Sequence, residues 1–274
     1  MVLLSPFIMK IIIFNDKQNF DGSLNSLNKR FKKGKKRFWN YEKYIPFLVD
    51  KLKSFDKLKK SDLQLKKTLF YTGRYSSKLI NSFRWTCNQK ISELNFLIKK
   101  QQGILDFISQ QKLSNETRKR INKEFGFIKK TLEEKKQYYI GEIGKQKRNY
   151  EGQKELLSKI AKNPFIEVKT TPLKQAEGKI YQKGVDVMIA TDLVNLAHTN
   201  AYDVALILGG DTDFIECIKL VKDLGKIVVV SAFHSQDNPL LSTISDLKNV
   251  ANYFLNLNDL SQEDLIAISD QLKA

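Results

Sequence analysis

The stretch DVALILGGDTDFIECIKLVKDLGKIVVVSA, residues 203–232, decides the fold. Val204–Leu208 is an unbroken apolar run, expected of a strand covered on both faces of a parallel sheet. Gly209-Gly210 turns the chain, and a helix is expected over 213–224. Leu224-Gly225 stops it, and a second apolar run, Lys226–Ala232, follows. Strand, tight turn, helix, stop and strand make a βαβ unit, whose two strands lie parallel in one sheet. Working outward, further strands are expected at Phe7–Phe14, Lys67–Thr72, Phe165–Lys169 and Tyr253–Leu257. Helices are expected near 40–55, 184–199, 240–249 and 261–272. Such alternation predicts an α/β fold, a parallel sheet flanked by helices.

Two segments depart from it. Residues 23–38, SLNSLNKRFKKGKKRF, read as a basic loop or arm. Residues 76–161 read as two long helices, the first over Ser76–Gln110, broken at Leu113-Ser114-Asn115 with Ser114 or Asn115 as N-cap. In the second, Ile121, Phe125, Ile128, Leu132, Tyr139, Ile143, Tyr150, Leu157 and Ile160 fit a heptad seam. Gly126, Gly141, Gly144 and Gly152 argue against one unbroken helix. The expected organisation is an α/β body, residues 1–75 and 150–274, interrupted by a helical hairpin over 76–149. That hairpin could be a dimerisation arm or a basic prong for substrate, and its sequence does not choose.

Of the 274 residues, 42% are apolar, enough for a sizeable core. No apolar run approaches the ~20 residues of a membrane span. The opening MVLLSPFIMKIIIF has no basic stretch before it and suits a buried strand better than a signal peptide. Cys87 and Cys217 have no CxxC spacing, so neither a disulfide framework nor a zinc site is indicated, and a reduced, cytoplasmic setting is expected. Lys and Arg outnumber Asp and Glu by 17 to 6 over residues 1–72 and by 21 to 9 over 73–163. Over 164–274 the balance reverses, 9 to 15. A basic majority joined to an acidic third suits a polyanion held by one part and acted on by another.

The acids stand at strand ends. Asp211 and Asp213 follow the strand Val204–Leu208, at the sheet edge where open parallel sheets bind ligands. Two carboxylates one residue apart can share a divalent cation; they can equally cap the next helix and satisfy turn amides. Asp16 ends the first strand, with Asn19 placed to support it. Asp186 opens the helix that precedes the GGDTDF strand. Asp192, near an apolar face of that helix, needs a hydrogen-bond partner or a cation. Carboxylates converging on one edge repel, and protons or divalent ions must relieve them. Two histidines, His198 and His234, make a two-histidine acid–base mechanism a poor fit.

The order of these segments resembles the NYN domain, a branch of the PIN-like nucleases that includes LabA-type proteins. The resemblance rests on Asp16-Lys17-Gln18-Asn19, where the family has Asp-Gly-x-Asn, and on Tyr71-Thr72, Lys183-Gly184-Val185-Asp186 and Asp192. It continues through Ala201-Tyr202-Asp203 before GGDTDF and Leu224-Gly225-Lys226 before Val228-Val229-Val230. It covers residues 8–72 and roughly 150–257. It implies a PIN-like Rossmannoid sheet with the helical hairpin as an insertion, and Mg²⁺- or Mn²⁺-dependent cleavage of RNA. By position, Asp16, Asp186, Asp211 and Asp213 would surround the metal, with Asp192 a lesser candidate and Asn19 and Thr212 supporting. Lys17 replaces the usual glycine, and Asn252 stands where many relatives carry aspartate.

The expectation is therefore an endoribonuclease preferring single strands, with DNA not excluded. Lys17, Arg30, Lys32, Lys33, Lys35, Lys36, Arg37 and Lys183 would hold phosphates, while Phe31, Phe38, Trp39 and Tyr41 either stack on bases or pack in the core. The competing reading is an RNA-binding or scaffold protein of weak or no activity, acting through its helical insertion, with a homodimer as one outcome. A dehalogenase-type phosphatase fits less well, because Gln18 occupies the place of its second aspartate.

Overall fold

The structure is a computed structural model and describes residues 7–31, 36–176, 178–233 and 244–271. The chain divides into two compact units. The first comprises Met1–Gly73, Leu157–Thr171 and Lys183–Ala274. It is built on six strands: β1 (Ile8–Asp16), β3 (Asp62–Arg74), β4 (Ile166–Pro172), β7 (Val204–Leu208), β8 (Ile227–Ala232) and β9 (Tyr253–Asn256). They form one sheet in the order β4-β3-β1-β7-β8-β9, and the registered pairs β1–β3, β1–β7, β7–β8 and β8–β9 are all parallel. This is the PIN-like α/β fold, and each of its six strands lies on a segment expected from the apolar runs.

Central position explains why β1 is apolar over Ile11–Phe14 and β7 throughout. Ile11, Ile13, Phe14, Val204, Leu206 and Leu208 are fully buried, each contributing about 1.5–3 kcal/mol relative to exposure. On one face, Ile12, Phe14, Ala205, Ile207 and Val230 pack against Val185, Ile189 and Leu193 of α6 (Val185–His198) and Ile218 and Val221 of α7 (Ile215–Asp223). On the opposite face, α3 (Tyr41–Leu52) buries Tyr44, Ile45, Leu48 and Leu52. Its start is fixed by Asn40, whose side chain accepts from the amides of Glu42 and Lys43. Asn252 ties the start of β9 to β8: its Oδ1 accepts from Val228 N at 2.8 Å, a structural task independent of a carboxylate charge. The helix expected at 240–249 is α8 (Ile244–Val250), with residues 240–243 outside the described set.

Two local expectations are corrected. The basic stretch 23–38 is not merely a loop: it contains α2 (Leu24–Lys29) and β2 (Arg37–Trp39). The helix expected over 261–272 is α9 (Gln262–Ala267), after which Ser269–Gln271 forms β10, antiparallel to β2. Arg37 explains both, since its Nε donates to Ser269 Oγ at 2.7 Å and its Nη2 to the carbonyl of Ser269 at 2.6 Å. Partners 232 positions apart leave no local pattern to read.

The second unit comprises Arg74–Leu156 and Pro172–Gln182. It holds α4 (Ser77–Ser109), the greater part of α5 (Asn115–Ile160), and a small hairpin of β5 (Lys174–Ala176) and β6 (Lys179–Tyr181). Ser76 caps α4 through the amide of Leu79, and Ser114 caps α5 through that of Thr117. Helix α5 runs unbroken through its four glycines. At Gly126, Gly141 and Gly152 an added Cβ would meet nothing within 4 Å, so each costs only the helix propensity of glycine, about 1 kcal/mol. Of the expected seam residues Ile160 is buried, Ile128 is exposed and the others are partly buried. Among the described residues no helix is long and apolar enough to cross a membrane.

Candidate metal centre and nucleic-acid interface

Three elements of the first unit bring acids together at the carboxyl edge of the sheet. Asp16 is the last residue of β1 and caps the short helix α1 (Lys17–Gly22). Asp211 follows β7 and caps the 3₁₀ turn Thr212–Phe214. Asp186 lies in the first turn of α6, which begins after Gly184 in a left-handed conformation (φ +83°). Carboxylate oxygens of Asp16, Asp186 and Asp211 all lie within 4.8 Å of one another.

Asn19 braces the group. Its amide N and Nδ2 donate to Asp16 Oδ1 and Oδ2 at 3.2 and 2.8 Å, and the same Nδ2 donates to Asp211 Oδ2 at 3.1 Å. Asp211 Oδ1 accepts from the amide of Asp213 at 3.0 Å. Gly209 makes the approach possible. Its φ of +142° is foreign to L side chains, and a Cβ there would meet Asn19 Cβ at 3.3 Å and Asp16 Cβ at 3.6 Å.

The electrostatics follow from this placement. Asp16 is only 1% exposed. Burial pushes its pKa up, the two hydrogen bonds from Asn19 pull it down, and the charges of Asp186 and Asp211 raise it again. Asp186 is likewise raised, first by burial and then by repulsion from Asp211, with Asp213 adding to it. None of the three forms an ion pair with Lys or Arg among the described residues. Three hard oxygen donors left unneutralised around one space suit Mg²⁺ or Mn²⁺.

The remaining expected residues divide. Asp213 is exposed at the rim and outside the three-acid group, though close enough to act on Asp186. Asp192 stands apart. Its Oδ2 accepts from Tyr71 Oη at 2.8 Å and pairs with Lys169 at 2.8 Å, so of the two expected alternatives, a hydrogen-bond partner or a cation, the structure has the first, with an ion pair beside it. Thr212 is the first residue of the 3₁₀ turn, half-buried. Lys17 is engaged with Asp21 one turn along α1. Arg30 donates to the carbonyl of Asn258 at 2.8 Å, and Arg37 is bound to the C-terminal segment, its guanidinium 5.3 Å from the Phe31 ring centre. Both arginines hold the fold, which the density of basic residues alone did not reveal. Lys36 and Lys183 are exposed without an ion pair among the described residues; Lys32, Lys33, Lys35 and His234 lie outside them. His198 is exposed at the end of α6. Of the aromatics, Trp39 is buried in a stack on Phe20 at 4.8 Å, and Tyr41 packs edge-on to Phe70 at 5.0 Å. Phe38 is exposed.

A family model described as the NYN domain matches residues 102–258, more than half of the chain. The chain belongs to the NYN domain family. The NYN match takes in Asp186, Asp211 and Asp213, and it begins inside α4, so it includes much of the helical section; Asp16 lies before it. Among solved structures, a Vibrio parahaemolyticus protein of unknown function is similar at 15% identity over 94% of this chain and 98% of that chain, with a TM-score of 0.44. No curated protein matches.

Proposed function

We propose that this NYN protein, on its motifs of the LabA-like branch, is a Mg²⁺- or Mn²⁺-dependent endoribonuclease that hydrolyses phosphodiester bonds in single-stranded RNA. The observation that carries the reading is the meeting of Asp16, Asp186 and Asp211 within 4.8 Å without a basic partner among the described residues. A divalent ion bound there supplies a coordinated water of lowered pKa and offsets charge on a phosphodiester oxygen. Asp16, Asp186 and Asp211 are the residues that would hold it. Asn19 keeps Asp16 and Asp211 turned toward each other, so little reorganisation is needed on binding. Asp213, exposed at the rim, adds negative charge that raises the Asp186 pKa and would equally attract a divalent ion. The glycine at 209 leaves the approach to the acids open. Lys36 and Lys183 are the exposed cations of this unit proposed to meet phosphates, with Lys17 proposed to do so after release from Asp21.

The test is incubation of the full chain with labelled single-stranded RNA and DNA of one sequence, in Mn²⁺, Mg²⁺ or EDTA. Cutting of RNA that needs the ion and disappears in Asp211→Asn supports the proposal. Equal cutting by Asp211→Asn would end the site assignment. Binding without cutting under every condition would leave the scaffold reading in its place.

A further inference from the structure

The outer face of α4 carries a feature with no task in the acidic site. Trp85, Phe96 and Phe107 are 65%, 66% and 65% exposed. Buried residues on the same helix are Phe83, Cys87, Leu94 and Gln101. At about 100° per residue the three rings fall on the side opposite this buried seam. Their spacing is 11 residues, about three turns, so they form a nearly straight row with a ring about every 16 Å. Exposing three large aromatic side chains in line is costly for solubility and points to a partner.

What lies between the rings identifies the partner. Gln89, Ser92 and Gly103 are exposed on the same face, whereas a helix–helix seam needs an apolar residue every three or four positions. Lys78, Lys99 and Lys100 share the face and form no ion pair among the described residues; of the acids at its edges, Glu93 pairs with Lys90 and Asp106 accepts from Gln102. Residues 73–163 carry 21 Lys and Arg against 9 Asp and Glu. A second copy would therefore bring like charge against like, while a polyanion with flat, stackable faces would meet opposite charge and three platforms. We infer that the α4 row Trp85, Phe96 and Phe107, with Lys99 and Lys100, is a binding surface for single-stranded nucleic acid, the bases stacking on the rings and the lysines meeting phosphates. This rests on the reading of nucleic acid as substrate and adds a contact surface remote in sequence from the acids.

The experiment uses the full chain in EDTA with an oligouridylate of roughly 20 nucleotides, a length several stacked sites require. Trp39 is 3% exposed, so quenching of tryptophan emission reports Trp85. The expected result is saturable quenching, with affinity falling about tenfold for each of Trp85→Ala, Phe96→Ala and Phe107→Ala, the Trp85 variant being followed by anisotropy of a labelled strand. Lys99→Ala with Lys100→Ala should lower the slope of log affinity against log salt by about 1.4. These side chains are exposed, so circular dichroism and melting should match the parent. Unchanged affinity in the triple aromatic variant would overturn the inference. So would a parent dimer in sedimentation that the triple variant dissolves without loss of oligonucleotide binding, which assigns the row to self-contact. Asp211→Asn separates the two proposals: it should lose cutting and keep the quenching, so either can fail alone.

Discussion

Asp211→Asn should raise the stability of the metal-free protein and abolish its stabilisation by metal. In the parent, Asp211 faces Asp16 and Asp186 across no more than 4.8 Å. At that separation two unit charges repel by about 3.5 kcal/mol for an effective dielectric of ~20, and by about 0.9 kcal/mol for that of water. Asp16 is buried and the other two are half-exposed, so each relieved repulsion lies between those limits, and partial protonation of Asp16 and Asp186 lowers both. Against this, the substituted amide keeps one oxygen to accept from the Asp213 amide but presents an NH₂ group toward Asn19 Nδ2. Losing that hydrogen bond costs about 1 kcal/mol. The net gain is about 1–3 kcal/mol, a rise in Tm of about 2–4 °C per kcal/mol for a unit of this size. Adding Mn²⁺ at about a hundred times its Kd should stabilise the parent by about 2.7 kcal/mol and leave the variant unmoved. Thermal melts of both proteins in EDTA and in Mn²⁺ read all four values. A variant less stable than the parent in EDTA, yet equally stabilised by Mn²⁺, would refute the reasoning, because it would mean that Asp211 neither suffers repulsion nor holds the ion.

The raised pKa values of Asp16 and Asp186 mean that the folded metal-free protein binds these protons more tightly than the unfolded chain. Their contribution to stability should therefore be greatest below the ordinary carboxylate pKa and be lost as pH rises through the folded values; urea melts in EDTA across pH 4 to 7 should show this acid-side gain shrink in Asp16→Asn. Gly209→Ala should cost about 1–3 kcal/mol, from its positive φ and the 3.3 Å approach to Asn19, measured by chemical denaturation in EDTA, with a matching loss of Mn²⁺ affinity. Tyr71→Phe should cost about 1–2 kcal/mol by removing the hydrogen bond to Asp192, whose pairing with Lys169 persists. Its Mn²⁺ titration should be unchanged, since Asp192 lies outside the three-acid group.

How legible the molecule was depends on the range of the interactions involved. The buried strands announced themselves because a strand covered on both faces must be apolar at every position, as at Ile11–Phe14 and Val204–Leu208. Asp16 and Asp211 stood out because each follows such a run within three residues, after Asn15 and after Gly209-Gly210, at a strand end where β1 and β7 run side by side. Asp192 has the same charge and a half-buried position, but its partners Tyr71 and Lys169 come from β3 and β4, and no spacing in the chain reveals them. Arg37 misled for the same reason: within 23–38 it is one basic residue among many, and only the pairing of β2 with β10 gives it a structural task. Lys17, expected to meet phosphate, is paired with Asp21 one helical turn away. The row on α4 was legible in principle, since the interval between Trp85, Phe96 and Phe107 is regular. Its exposure could not be read, because an apolar residue on a helix ordinarily faces a core.

The central claim is that Asp16, Asp186 and Asp211 together bind a divalent ion. The most direct measurement is anomalous scattering from crystals grown or soaked with Mn²⁺. A peak among the three carboxylates in the parent, absent in Asp211→Asn, is the predicted result. A parent structure at saturating Mn²⁺ with no peak there, or with those carboxylates turned away from one another, would contradict it.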